Sequence, residues 1–148
     1  MVAGPPITQF KAALRGQLID YQHTDYHTAR MVHNGMIDKY PALIARCANA
    51  ADVVTAVNFA RENSLLAAVR GGSHNGVGLG TCDDGLVIDL SLMNQVDVDP
   101  ESRTVRVQGG SLLGDMDTAT HVYGLAVPCG INATTGMVGL PWAGGWAT

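Results

Sequence analysis

The sequence is poor in the features that mark disulfide-stabilised, membrane-spanning and nucleic-acid-binding proteins. It has three cysteines in 148 residues, at positions 47, 82 and 129. Their odd number and the lack of a Cys-x-x-Cys spacing predict free thiols rather than disulfides. No run of about 18 apolar residues is present that could cross a membrane. The formal net charge is -4 and no basic cluster stands out, so we expect no nucleic-acid partner.

The first residues carry no targeting signal of the secretory type. Residues 1–6 lack the charged and apolar regions of a signal peptide, so we expect a cytoplasmic protein. Hydrophobic residues make up 47% of the chain and charged residues 15%, a balance that suits one soluble globular unit. No pattern indicates the oligomeric state.

Glycine, in contrast, is abundant, above all between residues 69 and 80. This stretch, VRGGSHNGVGLG, holds five glycines together with Arg70 and His74, and the apolar segment 65–69 that leads into it predicts a buried strand. Glycine lets a backbone approach a ligand closely, and successive N–H groups can converge on an anion such as phosphate. The alternative is a plain turn between two strands, but a plain turn has no need of Arg70 and His74 at this spacing.

Two common phosphate-binding loops do not fit this stretch. A dinucleotide-binding fingerprint needs its glycines to open a helix, and a P-loop needs Gly-Lys-Ser/Thr. Here the glycines lead through residues 81–85 into a second strand-like run, Leu86 to Leu90, and the sequence contains no Gly-Lys pair. If the loop holds phosphate, it does so between strands.

The rest of the chain predicts two clear helices and a hairpin. Asn49 can cap the first helix, with Asp52 at the capping-box position. The second helix begins after Ser111 and ends at Gly124, and valines alternating at 96–98 and 105–107 predict a hairpin with one wet face. The apolar faces are predicted to be Val53, Ala56, Val57 and Ala60 in the first helix and Met116, Ala119 and Tyr123 in the second.

Residues 7–40 show little periodicity beyond a short helix expected near residues 8–18. Three histidines, His23, His27 and His33, lie close together there, and an i, i+4 pair of histidines can bind a metal from one helix face. No carboxylate or cysteine at matching spacing completes such a site. We therefore expect solvated or hydrogen-bonded histidines and no metal.

The loop Arg70-Gly71-Gly72-Ser73-His74-Asn75 resembles the Arg-x-Gly-Gly/Ser-His loop of FAD-linked oxidoreductases of the berberine bridge enzyme type, which have a vanillyl-alcohol oxidase-like flavin domain. Further blocks resemble the family in the same order along the chain. They are Pro41–Cys47, Gly85–Ser91, Gly109-Gly110, and Tyr123–Pro128 continuing to Gly139-Leu140. The resemblance is to the N-terminal part of such enzymes.

This resemblance implies FAD as cofactor and a small-molecule substrate. It implies that the loop backbone cradles the FAD pyrophosphate and that His74 is bonded to the flavin, with adjacent positive charge on Arg70 lowering the pKa of His74 and offsetting cofactor charge. No catalytic residue is assigned within the chain. The implied cofactor-binding residues are Arg70, Gly71, Gly72, Ser73, His74, Asn75, Gly76, Leu90, Ser91, Pro128, Gly130, Asn132, Thr134, Thr135, Gly136 and Gly139.

Family members with a second covalent link have a cysteine two residues after the glycine that corresponds to Gly130. This chain has Asn132 there and Cys129 on the other side of the glycine. The resemblance therefore implies a single link through His74 and an unreactive thiol at Cys129. Trp142 to Ala147 also depart from the family pattern, which has a glycine-rich run there, so altered packing is expected.

The sequence thus predicts an α+β fold, the first part of a two-subdomain FAD-binding domain with mixed sheets and flanking helices. We expect a lead-in at residues 1–34, a first subdomain at 35–110 and the start of a second at 111–148. The function expected is that of an FAD-dependent oxidoreductase that oxidises an alcohol, sugar or amine carbon. The alternative is a truncated, non-catalytic module that binds FAD or a nucleotide.

Overall fold

A computed structural model describes residues 4–139. Within this part of the chain four helices and six strands follow one another. The helices are Gly4–Ala13 (α1), Tyr26–Ala29 (α2), Ala50–Glu62 (α3) and Leu113–His121 (α4). The strands are Gln17–Ile19 (β1), Leu43–Arg46 (β2), Ala67–Arg70 (β3), Leu86–Asp89 (β4), Val96–Asp99 (β5) and Thr104–Val107 (β6).

A four-stranded sheet with the order β1-β2-β4-β3 organises the fold. Strand β4 runs parallel to both β2 and β3, and β1 is antiparallel to β2. Helix α3 connects β2 to β3, two strands that β4 separates, which makes the βαβ crossover expected of parallel strands. The mixed sheet with its flanking helices confirms the α+β prediction.

The sheet is buried on both faces, which explains the continuous apolar runs of its central strands. All four residues of β4 are buried, as the sequence predicts. One face packs against α1 and α3, where the rings of Phe10 and Phe59 stack with centroids 4.0 Å apart. The other face packs against Tyr26 and Ala29 of α2.

Helix α3 begins where the sequence predicts and Asn49 caps it, but Asp52 does not complete the predicted capping box. The Asn49 side chain accepts a hydrogen bond from the Asp52 N–H at 3.0 Å, as an N-cap should. The Asp52 carboxylate, 1% exposed, instead accepts the backbone N–H groups of Arg15, Gly16 and Ala48 at 2.9–3.0 Å. Asp52 therefore ties the α1–β1 connection to the start of α3.

Three predicted positions in the first half of the chain are wrong in detail. Val57 is 47% exposed, and Phe59 takes its place on the buried face of α3. Leu18 lies in strand β1, because the first helix ends at Ala13. The strand expected at 65–69 starts at Ala67 and forms a sheet edge, so Val69 is 55% exposed rather than buried.

The hairpin and the last helix lie where the sequence predicts them, but the side chain that caps the helix is not the predicted one. Strands β5 and β6 pair antiparallel, with Asp97 and Asp99 exposed, as expected. Helix α4 starts one residue later than predicted, because the Asp115 carboxylate accepts the Leu112 N–H while Ser111 is buried and donates to the Gln95 carbonyl. Gly124 adopts the left-handed φ of 65° that ends the helix.

The buried face of α4 differs from the predicted one, whereas the cysteines are as predicted. Tyr123 is 52% exposed, and Leu113 joins Met116 in the buried face instead. All three cysteines are free thiols, as predicted, and burial raises the pKa of Cys47 to about 11. None of the helices within residues 4–139 has the length and apolar character needed to cross a membrane.

Candidate functional site

The candidate site begins at the carboxyl ends of the parallel strands, above a buried ion pair. Arg70 and Asp89 stand at the same register of β3 and β4, and Arg46 faces Asp89 from β2. The Arg70 Nη2 lies 2.6 Å from Asp89 Oδ2, and both side chains are 4% exposed. The Arg46 Nε lies 3.7 Å from the same oxygen. One carboxylate thus ties the ends of three strands together.

This arrangement gives Arg70 a role that the sequence does not reveal. Burial raises the pKa of Asp89, but the charge and hydrogen bond of Arg70, together with hydrogen bonds from Ser91, outweigh burial and hold that pKa below its ordinary value. Asp89 therefore stays ionised and compensates the guanidinium. Arg70 also donates to the Met31 carbonyl at 3.4 Å. Its charge is used inside the protein, to anchor the glycine loop that starts at the next residue.

Two glycine-containing segments meet above these strand ends: residues 71–76, here the glycine loop, and residues 132–136, here the second loop. A Cβ at Gly72 or at Gly136 would collide with the backbone of the other, so only glycine permits this contact. The second loop is held by the start of α4, where Leu113 N–H donates to the Thr135 carbonyl at 2.9 Å. The structure thus brings together the two segments that the sequence singles out separately.

The glycine loop presents a row of backbone donors. Within residues 4–139, the N–H groups of residues 71–77 donate no hydrogen bond to another described residue. Ser73 adopts φ 61°, a left-handed conformation that is uncommon for a residue with a side chain. Successive N–H groups around a left-handed residue form a concave nest that binds anions. The loop therefore has the backbone geometry of an anion site.

His74 is the side chain that joins the two segments. Its Nε2 lies 2.8 Å from the Thr134 hydroxyl oxygen, and its ring stacks on that of His33 with centroids 3.8 Å and planes 17° apart. Burial and the neighbouring His33 lower the pKa of His74 below its model-peptide value. The predicted direction of this shift is confirmed, but its expected cause, Arg70, is wrong because Asp89 compensates that charge.

His33 and Asn34 are part of the site, although neither is among the residues that the sequence predicts to bind the cofactor. His33 N–H donates to the Ser73 carbonyl at 3.1 Å, and the Asn34 amide donates to the Gly76 carbonyl at 3.0 Å. The Asn75 side chain accepts the Leu79 N–H at 3.0 Å, which closes the far end of the loop. Three histidines close in sequence are the only signal there, and the sequence predicts them to be solvated or hydrogen-bonded, with no sign of the stack on His74.

The metal alternative finds no geometric basis in residues 4–139, which contain no group of three His, Cys, Asp or Glu side chains that could hold an ion. His23 instead contacts the Gln17 amide through Nε2 at 3.0 Å and accepts the Asp25 N–H at Nδ1. The ring of His27 packs edge-on against Tyr26.

The other predicted binding residues are more dispersed. Leu90 is buried, and its carbonyl lies so close to Gly110 that no side chain fits there. Exposed Ser91 donates its N–H to Asp89. Pro128, Gly130 and Gly139 are exposed, and among the described residues no hydrogen bond joins them to the glycine loop. Leu140 and Trp142 to Ala147 lie outside the described residues.

Comparison with known proteins gives one family and many structures of the same kind. Residues 41–148 match a family described as FAD binding domain. The uncharacterised FAD-linked oxidoreductase YgaK of Bacillus subtilis is 34% identical over 135 residues, which cover 91% of this chain and 30% of that protein.

Two solved structures show the likeness in three dimensions. The crystal structure of 6-hydroxy-D-nicotine oxidase from Arthrobacter nicotinovorans matches with a TM-score of 0.86 at 33% identity, over 95% of this chain and 30% of that one. Xylooligosaccharide oxidase from Myceliophthora thermophila matches with a TM-score of 0.79 at 29% identity, over 93% and 29%. The chain spans about 30% of the length of these relatives.

Proposed function

The chain belongs to the FAD binding domain family, within the FAD-linked oxidoreductases of the berberine bridge enzyme type, and from this premise we propose that it holds FAD covalently through His74. The observation that carries the proposal is the meeting of the two loops. That meeting sets His74 against Thr134 and beside a row of backbone donors that have no partner among the described residues.

The residues of the two loops fit an FAD pyrophosphate. Its negative charge suits backbone N–H groups that have no partner among the described residues, and the nest around Ser73 supplies them without a basic side chain. Gly72 and Gly136, which lack Cβ atoms, let the two loops approach each other closely. In this proposal Arg70 acts through the ion pair that anchors the loop, and the remaining predicted residues, Leu90, Ser91, Pro128, Gly130, Asn132, Thr135 and Gly139, line the cofactor mostly with backbone.

His74 is prepared for attachment by its surroundings. A histidine must be neutral to use a ring nitrogen as a nucleophile, and burial together with His33 keeps the pKa of His74 below its ordinary value. With Asn132 where some family members have a cysteine, the attachment is single. Cys129 is then a half-buried loop thiol without a bond to flavin.

Bound FAD supplies the acceptor for a hydride from an alcohol, sugar or amine carbon. The chain's own share is to bind and orient that group, and no residue between 1 and 148 is assigned as a catalytic base. Relatives named for a nicotine derivative and for xylooligosaccharides favour a small-molecule substrate of the amine or sugar class. A cytoplasmic location and the subdomain division at residues 35–110 and 111–148 stay predictions.

Covalent attachment is tested by denaturing gel and peptide mass. The protein is expressed with FAD available, denatured and examined for flavin fluorescence at the protein band. Attachment to the peptide that contains His74, lost in His74→Ala, supports the proposal. His121→Ala, an exposed histidine in α4, is the matched control and should keep the flavin. Flavin that dissociates fully from the denatured wild type contradicts covalent attachment.

The second candidate, a non-catalytic FAD- or nucleotide-binding module, is favoured by the glycine loop itself, whose backbone donors can bind a phosphate-containing ligand without a catalytic side chain. The two are separated by anaerobic addition of 6-hydroxynicotine, a xylooligosaccharide or a simple alcohol to the flavin-loaded protein. Bleaching of the flavin absorbance by any of them supports an oxidoreductase. A flavin that dithionite reduces but no substrate bleaches supports the binding module.

A further inference from the structure

His74 can exist in two neutral forms, with the proton on Nδ1 or on Nε2, and only the nitrogen without the proton can act as a nucleophile. The structure contains a short chain of hydrogen bonds that selects between them. It runs from the amide of Asn132 through the hydroxyl of Thr134 to Nε2 of His74. All three groups lie in the two loops that meet at the candidate site.

Asn132 determines which group donates and which accepts in each of these hydrogen bonds. The Thr134 backbone N–H donates to Asn132 Oδ1 at 3.0 Å, and a backbone N–H can only donate, so the acceptor atom is the amide oxygen. The Thr134 hydroxyl lies 2.9 Å from the same oxygen. Because an amide oxygen has no proton to give, the hydroxyl must donate its own.

The orientation of the Thr134 hydroxyl determines which nitrogen of the His74 ring carries the proton. With its hydrogen committed to Asn132, Thr134 Oγ1 offers only lone pairs to His74 Nε2 at 2.8 Å, so Nε2 must carry the ring proton. The lone pair then lies on Nδ1, which has no hydrogen-bond partner among the described residues. The stacked His33 ring covers one face of the imidazole and restricts its rotation.

We propose that Thr134, oriented by Asn132, is a positioning residue that fixes the Nε2–H form of His74 and so keeps the lone pair of Nδ1 available for the bond to the flavin. This inference rests on the proposed covalent attachment. In that step a bond forms between Nδ1 and the flavin 8α carbon, and a C–H bond of the 8-methyl group breaks with release of its proton. Nε2 then loses its proton, the two electrons pass into the flavin ring, and dioxygen takes them up with two protons to give hydrogen peroxide.

The test compares Thr134→Val, which removes the acceptor oxygen at nearly constant shape, with Thr134→Ser, which keeps it. Thr134 is exposed, so neither change opens a core cavity. The first readout is the tautomer of His74 in flavin-free protein, from nitrogen-15 NMR of labelled histidine, assigned with His74→Ala. The second is the rate of covalent FAD incorporation, followed on denaturing gels.

We expect wild type and Thr134→Ser to be protonated at Nε2, and the flavin-peptide to be linked through Nδ1. Thr134→Val should show a mixture of both forms and incorporate flavin about two- to twelvefold more slowly, since the lost hydrogen bond is worth about 0.5–1.5 kcal/mol. An unchanged tautomer and rate in Thr134→Val, or a linkage through Nε2, would overturn the inference.

Failure of the proposed function has a different signature. If wild type carries no covalent flavin, the attachment step is refuted together with the proposed function, and the NMR spectrum still decides whether Thr134 sets the tautomer. If wild type carries flavin but Thr134→Val behaves identically, the attachment stands and the role of Thr134 is refuted.

Discussion

Polar side chains at the ends of the parallel strands are paired within the protein, whereas backbone N–H groups in the glycine loop above them have no partner among the described residues. At the strand ends, Asp89 compensates the charge of Arg70 in a site that is 4% exposed, and Ser91 N–H completes the coordination of the carboxylate. From the residue after Arg70 onward, the N–H groups of residues 71–77 have no partner among the described residues. The chain thus passes directly from a buried ion pair at Arg70 to backbone donors that have no partner among the described residues, beginning at Gly71.

The difference shows how the fold divides stability from binding. Buried polar groups must be paired within the protein because water cannot reach them, so Arg70 and Asp89 serve the sheet. Half-exposed N–H groups can be left to solvent or to a ligand, and glycine holds them in place without side chains in the way. A charged side chain next to a binding loop is therefore not always part of the binding surface.

The largest expected effect is on the free energy of unfolding, when the ion pair at the strand ends is broken. Asp89→Ala leaves the Arg70 guanidinium buried without its counter-charge, which should cost about 3–5 kcal/mol of the free energy of unfolding. Urea denaturation followed by circular dichroism measures the loss. Asp97→Ala, an exposed carboxylate of the hairpin, should leave the midpoint unchanged. Equal midpoints for Asp89→Ala and Asp97→Ala would show that the ion pair does not hold the strand ends together.

A smaller loss is expected where the two loops touch. Gly72→Ala places a Cβ against the Gly136 backbone and should cost about 1–3 kcal/mol, because the second loop must move away. Gly76→Ala is the matched control, since an added Cβ there meets nothing within 4 Å and its φ is not left-handed. Denaturation midpoints of the two variants measure the difference. Similar stabilities for both would mean that the loops do not need their close contact.

The smallest effect concerns the titration of His74. His33→Ala removes the neighbouring imidazole and uncovers the ring, so the pKa of His74 should rise toward the ordinary histidine value of 6.5. A proton NMR titration measures this shift, with His121→Ala as the control. Because the folded protein binds this proton less readily than the unfolded chain, stability is full above about pH 6.5 and falls as the pH drops. That fall should shrink in His33→Ala, and an unshifted pKa would exclude His33 as a cause.

Much of the site could be predicted from local sequence, and its pairings could not. The glycines of residues 71–76 and the small residues of 132–136 identify two backbone-lined segments, and the valine alternation gives the hairpin. The contact between Gly72 and Gly136 joins residues far apart in the chain, and the stack of His33 on His74 has no local signature. Asp89 is the one acidic residue in an otherwise apolar strand, which is consistent with a buried ion pair. Apolar periodicity alone does not identify its partner, Arg70.

The sequence by itself determined α3, α4, β4, the hairpin and the close-approach loops, because apolar period, capping residues and glycine act within a few positions, but it did not identify β1, β2 or α2. It also determined the resemblance to FAD-linked oxidoreductases. Only the tertiary structure decided that Arg70 serves Asp89, that β3 is a sheet edge, and that Thr134 faces Nε2 of His74. Those outcomes depend on strand order and loop packing, which bring together groups that are distant in the chain and so leave no pattern in it.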